Sequence, residues 1–178
     1  MSKGLEKYLY KSDIEKLMEI DLYTRCRFLI NILFLDKVDK NGKPYIGHLL
    51  RVSSRMSSPD GRIAALLHDV VEDIKGITFE DLKEFGVPDN IIDALKLVTN
   101  EKLDKAYTKE EKLEIYNQKI DNIIESKNKL ALELKLNDMI DNYDKYRISK
   151  LPKEKQEWFN VKYGQNIKKL KKARIEEN

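Results

Sequence analysis

Residues 65–73 read ALLHDVVED. The first seven carry the spacing of a helix heading for a core, and they carry a histidine and an acid with them. On a helix, residues four apart share a face. His68 then lies under Glu72, and Asp69 under Asp73, so four polar residues form one strip beside Leu66, Leu67, Val70 and Val71. Partly buried carboxylates repel one another and lose hydration, so a positive charge is expected among them. The strip holds no Lys or Arg; Arg62 and Lys75 only flank it. A divalent cation meets the need. The plain alternative is a solvated acidic helix end, or a histidine satisfied inside a core.

The rest of the chain reads as helices with short connections. It has 178 residues with seven glycines and four prolines, 41% hydrophobic and 37% charged. That length and composition suit one soluble all-α domain spanning residues 1–178. Ser12 has capping-box spacing to Glu15. Helices are expected over LYTRCRFLINILFL, from Pro44 onward, from Arg62 through the opening strip, from Thr78 to a stop at Gly86, and from Pro88 onward. DKVDKNG reads as a polar loop and SSPDG as a separator, with no hairpin signal. TKEEKLEIYNQKIDNIIES is amphipathic, LALELKLNDMIDNYDKYR follows it, and a helix over about 152–175 packs Trp158, Phe159 and Tyr163 on the bundle. Cys26 has no partner for an internal disulfide and reads as a small core residue. No apolar run reaches a bilayer-spanning length and the N-terminus lacks a signal-peptide pattern, so a cytoplasmic protein is expected. A net charge of +3 gives no argument for nucleic acid as a partner, even with the basic KKLKKAR near the end. Whether the chain forms a homo-oligomer is left open.

More ligands come from two places. His48 is the second of only two histidines and follows Pro44 by four residues. In LALELKLNDMIDN, Leu130, Leu134, Met139, Ile140 and Tyr143 mark the buried side. Asp138 sits at its border, whereas Asp141 and Asp144 read as a solvated face. His48, His68, Asp69 and Asp138 together offer two imidazoles and two carboxylates, a set suited to Mn²⁺, Fe²⁺, Co²⁺, Ni²⁺ or Zn²⁺.

With these residues in place, the sequence resembles the HD phosphohydrolase superfamily, whose pattern is H…HD…D. KNGKPYIGHLLRV, AALLHDVVED, FGVPDNIIDALKLVT and LKLNDMIDN look like the hydrolase domain of RelA/SpoT proteins and the stand-alone small alarmone hydrolases. The resemblance covers roughly residues 25–150, and nothing resembles the family's synthetase domain. It implies an HD-type helical bundle and removal of the 3′-pyrophosphate of ppGpp and pppGpp, an activity of the stringent response. It implies His48, His68, Asp69 and Asp138 as metal ligands, with one Mn²⁺ the usual ion. Glu72 and Asp73 fall on the acidic pair that orients or deprotonates the attacking water, and Asn142 on a nucleotide contact. Lys37, Lys40, Tyr45, Arg51, Lys135 and Arg147 are candidates to hold the rest of the substrate.

The chain also departs from that pattern. Leu49 stands where a proline often follows the first histidine, and Ile74 where a threonine follows the acidic pair. Asp39 falls where classical members carry a guanine-contacting arginine, unless Lys37 takes the basic role under a longer loop spacing. Lysine lacks the planar surface on which arginine stacks a base. The residues therefore leave open a nucleotidase, or a phosphatase of phosphorylated dinucleotides, on the same scaffold. A non-catalytic nucleotide sensor is the remaining alternative; its signature would be a broken metal set.

Overall fold

The computed structural model describes residues 3–100 and 106–176. After a 3₁₀ turn at Leu5–Lys7, the helices run α1 (Lys11–Met18), α2 (Leu22–Leu33), α3 (Ile46–Ser54), α4 (Pro59–Leu67), α5 (Val70–Asp73), α6 (Phe79–Glu84) and α7 (Asp89–Val98). They continue as α8 (Lys109–Glu125), α9 (Lys129–Asn142), α10 (Lys145–Ser149) and α11 (Lys153–Glu176). The expected all-α bundle is what forms. Part of the segment 101–117 that follows α7 lies outside the described residues.

Two helices form the middle of the bundle. In α4, Gly61 and every residue from Ile63 to Leu67 are buried, and the helix packs against α2, α3, α7 and α9. Ser58 Oγ accepts from Gly61 N at 3.0 Å and Pro59 opens the first turn, where its missing N–H does no harm. PDG is therefore the start of a helix, not a separator. A Cβ on Gly61 would meet Met56 Cε and Ser58 Oγ at 3.0 Å, so this turn sits tightly against the end of α3. In α9, Ala131 through Met139 and Asp141 are all buried. A helix buried all round is ordinarily apolar, but this one carries Glu133, Lys135, Asn137, Asp138 and Asp141. Each needs a partner inside the protein.

The long helix α11 closes the bundle over α8 and α9. Its buried residues Phe159, Tyr163, Asn166, Leu170 and Ala173 recur every three or four positions, a single stripe. Asn166 is satisfied by Asn117 Oδ1 at 2.7 Å and the Lys162 carbonyl at 2.9 Å. Cys26 is fully buried and burial pushes its thiol up to about 12. Thr78 makes a full capping box with Asp81, and Gly86 ends that segment at φ +90.

Several local expectations are corrected. Ser12 does not cap α1, which begins at Lys11 after an uncapped Tyr10. Asp144 starts a separate helix by accepting from Arg147 N. The loop before α3 is a small hairpin: Val38 bridges Pro44, Asp39 N donates to the Lys43 carbonyl at 2.7 Å, and Gly42 takes φ +71. The opening stretch is not one continuous helix. α4 ends at Leu67, His68 and Asp69 form a turn, and α5 restarts at Val70. Among the described residues no helix is long and apolar enough to cross a membrane.

Candidate active site

The break after Leu67 aims the site. His68 leaves α4 with its Nδ1 2.8 Å from the Ala65 carbonyl. That contact fixes Nδ1 as the protonated nitrogen and turns Nε2 inward with its lone pair. Nε2 is buried and has no hydrogen-bond partner. His48, in the first turn of α3, is held the same way: its Nδ1 donates to Asp141 Oδ2 at 2.8 Å. Its Nε2 faces the same point.

Two carboxylate oxygens complete the group. His48 Nε2 lies 3.7 Å from Asp69 Oδ2 and 3.4 Å from Asp138 Oδ1, and His68 Nε2 lies 3.1 and 3.7 Å from the same two atoms. Donor atoms each about 2.0–2.2 Å from a common ion stand at such separations. The donor atoms of His48, His68 and Asp69 satisfy a metal-holding arrangement as a set. Burial disfavours charge on His68, but Asp69 and Asp138 outweigh it and raise its pKa well above the usual imidazole range. The orphaned Nε2 and the two facing acids fit a divalent cation.

Each donor is oriented from behind. Tyr45 stacks on Phe34 and its OH donates to Asp69 Oδ2 at 2.6 Å. Asn142 Nδ2 donates to Asp138 Oδ1 at 2.6 Å, and Lys135 Nζ lies 3.1 Å from Asp138 Oδ2. Burial opposes the Lys135 charge, but its neighbours, Asp138 among them, hold it protonated. Tyr45, Asn142 and Lys135 thus touch the two acids that face the imidazoles.

Asp141 is 1% exposed, not the solvated residue its sequence position suggested. Besides His48 it accepts from Arg51 Nε at 2.8 Å, Arg55 at 2.8 Å and Arg147. Burial alone would raise its pKa; the bonds from His48, Arg51 and Arg55 reverse this and hold it far below the carboxylate range. Arg51 is therefore directed at Asp141 rather than at the cavity. Arg147 also reaches Asp39 Oδ2 at 2.9 Å. Asp39 in turn accepts from Asn41 N and Lys43 N, so it organises the hairpin.

Three of the four donors, His48, Asp69 and Asp138, line a cavity of about 170 Å³ whose walls also include Lys40, Tyr45, Glu72, Asn142 and Arg147. Lys40 reaches it with its ammonium 4.3 Å from the Phe159 ring centre. Lys37 does not line it; its Nζ donates to the Asp73 carbonyl at 2.9 Å. Glu72 Oε2 accepts from Asn100 N and Nδ2, both at 3.0 Å, at the cavity edge. Asp73 is exposed; desolvation first and the Asp69 charge next raise its carboxyl above the ordinary value.

Sequence reasoning missed Asp141, Asn100, Tyr116 and Lys162, all at or behind this cavity. Asp141 lies three residues after Asp138 on a helix buried almost all round, which offers no polar face against which to place it. Lys162 sits beside Tyr163, its ammonium 4.1 Å from the Tyr116 ring centre and 5.4 Å from that of Tyr163. Burial first, then Lys135 and Lys40, bring its pKa down to about 8.

No protein-family model matches the chain. No curated protein matches it either. Among solved structures it is similar to a metazoan ortholog of SpoT that hydrolyzes ppGpp and plays a role in starvation responses. The two are 24% identical with a TM-score of 0.66, over 89% of this chain and 94% of that one. At that identity the likeness is one of fold, and the HD-type bundle expected from the sequence is the fold they share.

Proposed function

We propose that the chain is a divalent-metal-dependent nucleotide phosphohydrolase, with (p)ppGpp 3′-pyrophosphohydrolysis as its leading reaction. One observation carries the reading: His68 Nε2, buried and without a hydrogen-bond partner, faces the Asp69 and Asp138 oxygens and shares them with His48 Nε2. Those four side chains would hold one ion, Mn²⁺ by the resemblance. When bound, such an ion lowers the pKa of water and offsets charge on the phosphoryl group.

The protein's own groups supply the rest. Asp141 and the Ala65 carbonyl fix the imidazole tautomers, a type of outer contact that tunes metal affinity. Glu72, anchored by Asn100 at the cavity edge, is the acid placed to accept a proton from water. Asp73 stands beside it at the rim. Lys40, Lys162 and Arg147 turn positive charge toward the cavity and would hold the remaining phosphates. The fold likeness to a ppGpp-hydrolysing protein supports this reading. We also place the enzyme in the cytoplasm, with a small nucleotide as its partner.

The test is turnover of a nucleotide panel with added Mn²⁺, the products resolved by chromatography. Pyrophosphate released from ppGpp is the expected result. Orthophosphate alone would make the enzyme a phosphatase or nucleotidase instead, and no turnover of any nucleotide would overturn the reading.

A further inference from the structure

Glu72 is the acid placed to take a proton from water, yet its own helix does little to hold it. α5 is a single turn of four residues. Glu72 lines both the 170 Å³ cavity and a second cavity of about 820 Å³, walled in part by Tyr107, Ile115, Lys119 and Trp158. With open space on two sides, packing cannot set the direction of its carboxylate. Hydrogen bonds must do so, as a reacting group is held by the partners behind it. The bonds it accepts among the described residues come from Asn100, through N and Nδ2, each 3.0 Å from Oε2. Oε1 keeps its lone pairs for water.

Asn100 is in turn held from α8. Thr99 closes α7: its N–H and its Oγ1 both donate to the Leu95 carbonyl, at 2.9 and 2.8 Å, and the chain leaves in an extended conformation. The Thr99 carbonyl accepts from Lys119 Nζ. That carbonyl and the Asn100 N–H are the two ends of one planar peptide group. The ammonium at the oxygen end therefore fixes the plane that aims the N–H at Glu72, and hydrogen bonds linked in this way strengthen one another. We propose that Asn100 and Lys119 are positioning residues for the reaction. Lys119 sets the Thr99–Asn100 peptide group, and Asn100 sets the Glu72 carboxylate against the water to be activated. The proposal rests on the nucleotide phosphohydrolase reading above and adds to it two residues whose effect passes through Glu72.

The experiment measures kcat, KM and bound metal for the full chain acting on ppGpp with added Mn²⁺. Asn100→Ala removes one of the two bonds to Glu72. It should lower kcat roughly 10–100-fold, the size of a lost hydrogen bond to a charged group, with KM within about twofold and metal content kept. Asn100→Asp keeps the shape but sets a like charge beside Glu72, so its kcat should fall further. Lys119→Met should give a smaller loss than Asn100→Ala, again in kcat alone. Lys119→Arg, which keeps a cation in reach of the Thr99 carbonyl, should restore most of it. In a Glu72→Gln background, Asn100→Ala and Lys119→Met should cost nothing further, because no base is left to aim. That cycle separates positioning from a role in the fold at large. Equal losses in the two backgrounds would overturn the proposal and leave the hydrolase reading standing. So would a wild-type kcat in Asn100→Ala, or a loss that appears in KM or metal content with kcat kept. A wild type that turns over no nucleotide would strike the hydrolase reading, and the proposal with it.

Discussion

Asp138 and Asp141 lie three residues apart on α9, and both are buried. Around Asp141 stand Arg51, Arg55, Arg147 and the Nδ1 side of His48, so cations and donors outnumber the one carboxylate. Around Asp138 the balance is tighter. Lys135 takes one oxygen, while the other looks at two imidazole nitrogens with Asp69 across from it. A buried carboxylate saturated with cations is structure, because nothing more can approach it. A buried carboxylate that shares a point with a second acid and two lone pairs is a place where a cation belongs. The two regions are joined through one ring: His48 has Nδ1 in the first and Nε2 in the second.

The sharpest way to break the contrast is to remove a donor from the second region. Asp69→Ala and His68→Ala should each abolish bound metal, about one ion per chain in the wild type, together with turnover. Metal analysis and activity on the same samples check this. Undiminished metal in both variants would mean that the ion, if any, binds elsewhere. Glu72→Gln should act on the chemistry and not on the metal. Its turnover should fall by roughly 10²–10⁴-fold, the usual range for a general acid–base group, with metal content kept. Near-normal turnover would reduce Glu72 to an anchor for Asn100.

Asp141→Asn tests the other side. It leaves three guanidiniums without their carboxylate and His48 with a weaker acceptor. Metal affinity should drop roughly 10–100-fold, as when an outer partner of a ligating histidine is lost. Stability of the metal-free protein should fall by about 2–4 kcal/mol, somewhat below the loss for a fully buried pair because Arg51 and Arg55 are partly in water. Denaturant titration of metal-free wild type and variant gives the number. If Asp141→Asn unfolds no sooner than the wild type, the cationic cluster is not a structural device and the comparison fails.

How legible the two regions were in the sequence differs for the same reason. His48, His68, Asp69 and Asp138 could be read because each is a rare polar residue on or beside an apolar stripe. Asp141 could not be assigned a side, because α9 is buried almost all round and shows no polar face against which to measure it. The break at His68–Asp69 carries no glycine or proline, so local spacing reads through it as one helix. Asp39 was visible only as a departure from a family pattern; its hairpin bonds and its reach to Arg147, 108 residues on, are tertiary. The architecture was easier. Few breakers and recurrent apolar spacing gave the helical bundle, and Pro44, Thr78, Gly86 and Pro88 lie at or within two residues of helix boundaries.

The smallest expected effect concerns Lys162, which belongs to neither extreme. Its ammonium rests on aromatic rings near Lys135 and Lys40, with its pKa brought from 10.5 to about 8. Between those two values the unfolded chain binds the proton more tightly than the folded one, so this residue's contribution to stability rises with pH across that window. Below about pH 8 the charge is a standing cost of the fold. Lys162→Met should therefore raise the melting temperature of metal-free protein by a few degrees at pH 7. The advantage over wild type should shrink between pH 8 and 10.5, since both folded forms are then uncharged at this position. The variant should at the same time bind pyrophosphate more weakly, because the wall of the 170 Å³ cavity loses a cation. Thermal melts of the two proteins at pH 7 and pH 10 separate the outcomes. A gain that does not change with pH would assign the effect to packing of the methionine against Tyr116 and Tyr163, and Lys162 would no longer count as a strained charge kept for a phosphate.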